Sequence, residues 1–186
     1  MVVLGDPKDL IPATAFAQAE AELAKMKDVV DRAYDLTGQL IRQKSTLSPE
    51  DSLIKIRDYE QITDNIQKEI TVFLVKLCEN SLTPEESNLA QSIMREADEL
   101  ESVADYLERL AKYSTRTPLH EVLTEESKDE FLSFYDEVEK FYSGITKRIK
   151  STEKMDLTIV HRKSEELRQR AQTIRKNQLL RVSNGN

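Results

Sequence analysis

Four carboxylates stand out by their spacing. Glu60 and Asp64 lie four residues apart, and so do Glu101 and Asp105. Four residues is about one helical turn, so the two acids of each pair project from one face of a helix. Asp98 and Glu108 extend the second row by steps of three. Like charges gathered this way repel unless a proton, a cation or a nearby Lys or Arg compensates. Carboxylates on facing helices are also how helical bundles hold metal ions. No histidine joins the row, so the donors on offer are all oxygen. They suit a hard or borderline divalent cation such as Mg²⁺, Mn²⁺ or iron over zinc. Acid rows beside an apolar stripe are equally the mark of solvated surface, and 33% of this chain is charged. On spacing alone both readings stand.

Such carboxylates need long helices to position them. With only 4 Gly and 5 Pro in 186 residues, long stretches run without a breaker, and no segment shows the alternation of a strand. Five helices are expected. The first runs from about Pro12 to Lys44 on Phe16, Ala19, Leu23, Met26, Val30, Ala33, Thr37 and Leu40, the three–four spacing of a bundle seam. "STLSPED" then offers Ser48 as N-cap, Pro49 at the first helical position and Asp51 to close a capping box. The second helix follows to about Glu79 on Ile56, Tyr59, Ile62, Ile66, Ile70, Phe73 and Leu77. "SLTPEES" repeats the punctuation with Thr83, Pro84 and Glu86. The third helix, to about Lys112, uses Leu89, Ile93, Ala97, Leu100, Ala104 and Leu107. After the linker "YSTRTPLH", a fourth helix spans about Thr124 to Lys150 and a fifth about Lys154 to Arg181.

Both acid pairs sit at the same offset from their stripes, about 100° to 140° round at ~100° per residue. The turn between the second and third helices centres near Ser81. The pairs stand about 19 and 22 residues from it, so their heights differ by about one turn. The four carboxylates are therefore expected on one side of one helix hairpin.

Composition excludes several function classes. A formal net charge of -7 disfavours binding to nucleic acid. A single cysteine, Cys78, precludes an internal disulfide framework and is read as a packing residue. No run of about 18 apolar residues and no signal peptide are present, so the chain taken alone reads as cytosolic. There is no Gly-rich phosphate loop and no nucleophile–base arrangement. His120 and His161 read as surface histidines, and no Glu-x-x-His step marks a di-metal enzyme. No enzymatic activity is expected. The fifth helix is basic, with Arg162, Lys163, Arg168, Arg170, Arg175, Lys176 and Arg181. That is either a solvated face paired to the acidic fourth helix or a contact for anionic lipid or an acidic partner.

The paired motifs also carry a resemblance. "ADELESVADYLERL", with Leu100, Glu101 and Asp105 in register, resembles the signature helix of PhoU-type proteins. "YEQITDNIQKEITVFLVKLCENSLTPEE" resembles the helix and turn before it. "DPKDLIPATAFAQAEAELAKMKDVV" is similar to the segment that joins the last membrane helix of bacterial sodium/phosphate cotransporters to their cytoplasmic PhoU-like domain. The likeness is strong over residues 6–112 and loose beyond. It departs from the family where Tyr106 follows Asp105 in place of the common Gly-Asp-His run.

The resemblance implies an all-α fold of long antiparallel helices, a PhoU-like three-helix bundle followed by a second, incomplete bundle. Residues 1–11 would be the linker from an upstream membrane domain and 12–113 the bundle. A linker at 114–123, a helical hairpin at 124–183 and a tail at 184–186 would complete the chain. A third helix of the second bundle would lie beyond Asn186. The implied function is that of a cytoplasmic regulatory domain of a sodium-dependent phosphate transporter, on the inner face of the bacterial inner membrane. The alternative is a stand-alone helical metal-binding or adaptor protein of phosphate homeostasis. Carried over by position, the metal ligands would be Glu60, Asp64, Glu101 and Asp105, with Asp98 a weaker candidate, holding a divalent or iron-type ion. The implied partners are the transport domain of the same polypeptide, a regulatory protein and a second copy of the chain.

Overall fold

The computed structural model describes Leu4, Pro7 and residues 10–149 and 156–183. Every regular element among them is helical: α1 Pro12–Ile41, α2 Pro49–Cys78, α3 Pro84–Arg116, the single turn α4 Leu119–Val122, α5 Glu125–Ile149 and α6 Leu157–Ser183. The chain divides into two units, Met1–Arg116 and Thr117–Asn186.

Local chemistry sets the boundaries in the first unit. Ser48 Oγ accepts from Asp51 N at 3.0 Å and donates to its carboxylate at 2.8 Å. Thr83 makes the full reciprocal box: Glu86 N donates to Thr83 Oγ1 at 3.2 Å, and Thr83 N donates to Glu86 Oε2 at 2.8 Å. α1 ends differently. Lys44 N reaches back to Gln39 O at 2.9 Å and Gln43 N to Leu40 O at 3.0 Å. That closure puts Gln43 at φ 55, a conformation glycine adopts more cheaply.

α1, α2 and α3 pack against one another as a three-helix bundle. Its core is dry. Met26, Val30, Ile56, Ile70, Leu74, Leu77, Ala97 and Ala111 are fully buried. All eight stripe residues expected on α1 are buried, Phe16 through Leu40. Burying one such large apolar side chain contributes roughly 1.5–3 kcal/mol.

Two stripe positions differ from the sequence reading. Ile62 is 43% exposed and Thr63 is buried in its place. The seam steps from Tyr59 to Thr63 to Ile66, and Ile62 falls about 100° behind it. Thr63 tolerates burial because its hydroxyl donates to Glu60 O at 2.7 Å. Leu89 is likewise 38% exposed, and Ala90, in period with Ile93 and Ala97, takes the buried position. Cys78, expected to pack, is exposed at the last residue of α2. Glu22 is buried beside Lys25 at 2.7 Å.

The linker expected at 114–123 is largely helical. α3 continues to Arg116 because Ala111 and Ser114 prolong its seam, and Pro118 precedes the one-turn α4. In the second unit Thr124 caps α5, accepting from Ser127 N at 3.2 Å. Asp156 caps α6, accepting from Thr158 N at 2.9 Å. α5 and α6 form a hairpin crossed by several ion pairs. Arg170 bonds Glu137 and also donates to Ser133, while Arg181 pairs with Glu130 at 3.1 Å and with Glu126 at 3.6 Å. The α5 stripe, Phe131, Phe134, Val138, Phe141 and Ile145, is only half-buried. On α6 Leu167 is buried, Val160, Ala171 and Ile174 are half-buried, and Leu157 is 74% exposed. The expected start of the last helix at Lys154, the tail at 184–186 and most of the linker at 1–11 lie outside the described residues. No helix among the described residues is long and apolar enough to cross a membrane.

Candidate functional site

Each of the four acids immediately follows a seam residue. Glu60 follows Tyr59, Asp64 follows Thr63, Glu101 follows Leu100 and Asp105 follows Ala104. One residue past the seam is about 100° round the helix, so all four sit half-buried at the rim of the α2–α3 contact.

Two cross-helix contacts fix the register. Arg57 Nε donates to Glu108 Oε1 at 2.8 Å, and Gln67 donates its amide to Asp98. Three residues on from Arg57 and three back from Glu108 come Glu60 and Asp105. Three back from Gln67 and three on from Asp98 come Asp64 and Glu101. The helices are antiparallel, so Glu60 is level with Asp105 and Asp64 with Glu101. The sequence reading left about one turn between the pairs. The register closes that gap, because the turn centres just past Leu82 and not at Ser81.

The electrostatics show the same proximity. The Glu60 carboxyl is pushed above its ordinary value by partial burial first, then by the charges of Asp64, Asp105, Glu101 and Glu108. Glu101 is also pushed up, by partial burial and by Asp105, Asp64 and Asp98, with Lys68 opposing. Acids of each helix thus bear on acids of the other.

The two aspartates are already compensated. Lys68 Nζ lies 2.6 Å from Asp64, and its own pKa is raised chiefly by that hydrogen bond. Arg109 holds Asp105 through both oxygens, Nη2 at 2.7 Å and Nε at 3.1 Å. Arg109 also lies 5.6 Å above the Tyr106 ring, a cation–π distance. Tyr106 thereby steadies the cation that neutralises its neighbour Asp105. Glu60 and Glu101 make no ion pair among the described residues.

As they stand, two of the four acids are held by cations of the chain itself. Among the described residues no three carboxylate, imidazole or thiolate groups gather to share one ion, and Asp64 and Asp105 would first have to release Lys68 and Arg109. Glu60 and Glu101 are the two that could take a proton or a loosely held hard cation. Asp98 and Glu108 are tied to α2 by Gln67 and Arg57. His161 is exposed on α6 and far along the chain from this face, and the side chain of His120 lies outside the described residues.

The partners of the acids were the part sequence reading missed. A base four residues after an acid is a favourable helical pair, and Asp64–Lys68 and Asp105–Arg109 both have that spacing. The cross-helix bridges at Arg57 and Gln67 had no such local signal. Compared with known protein families, with curated proteins and with solved structures, the chain finds no match.

Proposed function

We propose that this chain is a PhoU-like regulatory domain serving a sodium-dependent phosphate transporter on the cytoplasmic side of the bacterial inner membrane, and that it is not an enzyme. The observation that supports this reading is the level pairing of two acid-x-x-x-acid motifs across α2 and α3. A charge-bearing rim between two helices of one bundle is a device for turning an ionic signal into a conformational one. Ionised Glu60 and Glu101 add repulsion across the α2–α3 contact. A proton, a hard cation or a basic segment of a transport domain on the same polypeptide would remove it and let the helices settle closer. A regulatory protein partner or a second copy of the chain would act by favouring one of those two states.

The test is sodium-dependent phosphate uptake by cells expressing the full native reading frame, with Glu60→Gln and Glu101→Gln combined. Uptake should persist while its response to phosphate supply changes. An unaltered response would refute the regulatory role. A reading frame that encodes no membrane helices would replace the transporter-linked reading with that of a stand-alone metal-binding or adaptor protein. Metal content of protein purified without chelator, compared with Glu101→Ala/Asp105→Ala, tests the cation. Equal, substoichiometric metal in both samples would leave protons or a basic segment as the ligand.

A further inference from the structure

Charge is unevenly distributed along this chain. α6 carries seven Arg or Lys against two Glu, 7 - 2 = +5. The whole chain carries -7, so everything outside α6 sums to -7 - 5 = -12. Part of the α6 charge is used within the hairpin, where Arg170 and Arg181 turn toward α5. Lys163 borders a groove shared with Glu137 and Phe141 of α5, and the other four point away. Arg162 and Arg168 are exposed, with side chains 73% and 70% accessible. Among the described residues they meet only glutamates of α6 itself, at 3.9 Å and 3.6 Å. Arg175 and Lys176 are exposed and make no ion pair among the described residues.

Leucines share that surface. Leu157 near the start of α6 is 74% exposed, and Leu179 and Leu180 near its end are 63% and 52% exposed. At ~100° per residue, the four outward cations and the three leucines all fall within an arc of about 140°. Glu165 is the acid on that arc. A seam for a partner helix would separate apolar from charged positions. An arc that mixes them lacks the separate apolar face of a helix sunk among acyl chains, and suits attachment by charge to a layer of phosphate headgroups with only shallow apolar contact. There leucines reach the edge of the apolar layer while Arg and Lys extend their charged ends to phosphate.

We propose that the outer arc of α6 docks on an anionic membrane surface. The arc would lie along the bilayer, with the leucines at its two ends as shallow anchors and the cations between them on lipid phosphates. Nucleic acid offers phosphates too, but the -12 on the rest of the chain opposes a long polyanion more than a planar headgroup layer that only α6 needs to touch. The inference rests on the charge and exposure of α6 and holds whether or not the regulatory reading does.

The experiment uses the full chain and sedimentation with vesicles. One set is phosphatidylcholine containing phosphatidylglycerol, the other phosphatidylcholine alone. The chain should sediment with the first set only. It should be released as salt rises from ~0.1 M to ~1 M and the screening length falls from about 10 Å to about 3 Å. Arg175→Ala/Lys176→Ala should weaken partitioning about thirtyfold, since each cation near an anionic surface is worth roughly a factor of five. Leu179→Ser/Leu180→Ser should weaken it severalfold and leave the salt dependence in place. Circular dichroism checks that both variants keep their helix content, and Arg162→Ala/Arg168→Ala replaces the first if it does not. Equal binding to both vesicle sets, or binding to neither, overturns the proposal. So does a wild type that ignores vesicles yet binds polyglutamate through Arg175 and Lys176, which would assign the arc to an acidic protein.

Discussion

The first unit and the second solve the same problem with different means. In α1–α3, three helices close around one apolar seam, and Met26, Ile56, Ile70 and Leu77 are wholly withdrawn from water. In α5–α6, two helices leave Phe131, Phe134 and Val138 half-covered, and Arg170 and Arg181 reach across to acids of α5. Hydrophobic burial does not weaken with salt, whereas exposed ion pairs contribute little and are screened. A third helix is what separates the two cases. The first unit is expected to hold its shape over a wide range of conditions, and the hairpin to respond to them.

Substitutions can break or sharpen that contrast. The largest effect is expected for Ile70→Ala, which empties a fully buried position and should cost about 2–5 kcal/mol. Hydrogen exchange read by mass spectrometry would show the loss in α1–α3. If α5–α6 lost protection equally, the two units would be one cooperative body and the contrast would fail. Next comes Gln43→Gly, expected to stabilise the first unit by up to ~1 kcal/mol by relieving the left-handed backbone at the end of α1. Thermal unfolding would report it as a rise in midpoint.

Arg170→Ala tests the other unit. It removes the bonds to Glu137 and Ser133 and should lower protection of α5–α6 by about 0.2–1 kcal/mol at low salt, less at high salt. A salt-independent loss would mean that the aliphatic part of the side chain carries the contact. Smallest is Glu101→Gln. Its carboxyl is raised in the folded state, so the folded bundle holds that proton more tightly than the unfolded chain does. Stability from this group is therefore lost as pH rises from the ordinary carboxylate range through the raised value, and stays lost at neutral pH. The amide should stabilise the bundle at pH 7 by a few tenths of a kcal/mol after allowance for solvent screening, and by nothing at a pH below both values. Denaturation at the two pH values distinguishes this from a general packing effect.

Much of the first unit is legible in its residues, because period and punctuation agree there. Ser48-Pro49 and Thr83-Pro84 mark starts, and a three–four apolar spacing marks the seam. That agreement also located Glu60, Asp64, Glu101 and Asp105 on one face. The failures have a common cause. Ile62 over Thr63, and Leu89 over Ala90, were chosen by hydrophobicity, whereas the helical period puts Ala90 on the seam, and Thr63 with its self-satisfied hydroxyl. The third helix, expected to about Lys112, runs on to Arg116 because Ala111 and Ser114 keep its seam going. The compensation of Asp64 and Asp105 was legible in the four-residue step to Lys68 and Arg109. The register set by Arg57 and Gln67 was not, since contacts between residues 31 and 51 positions apart leave no trace in local spacing.

Those two bridges also set a length. Arg57 and Gln67 are ten residues apart on α2, about 15 Å at ~1.5 Å per residue. The acidic stretch is a window framed at both ends by contacts that mark the register held by the buried seam. An ion or one or two basic side chains fits inside the frame. The frame thus limits the acidic rim to a strip about three turns long.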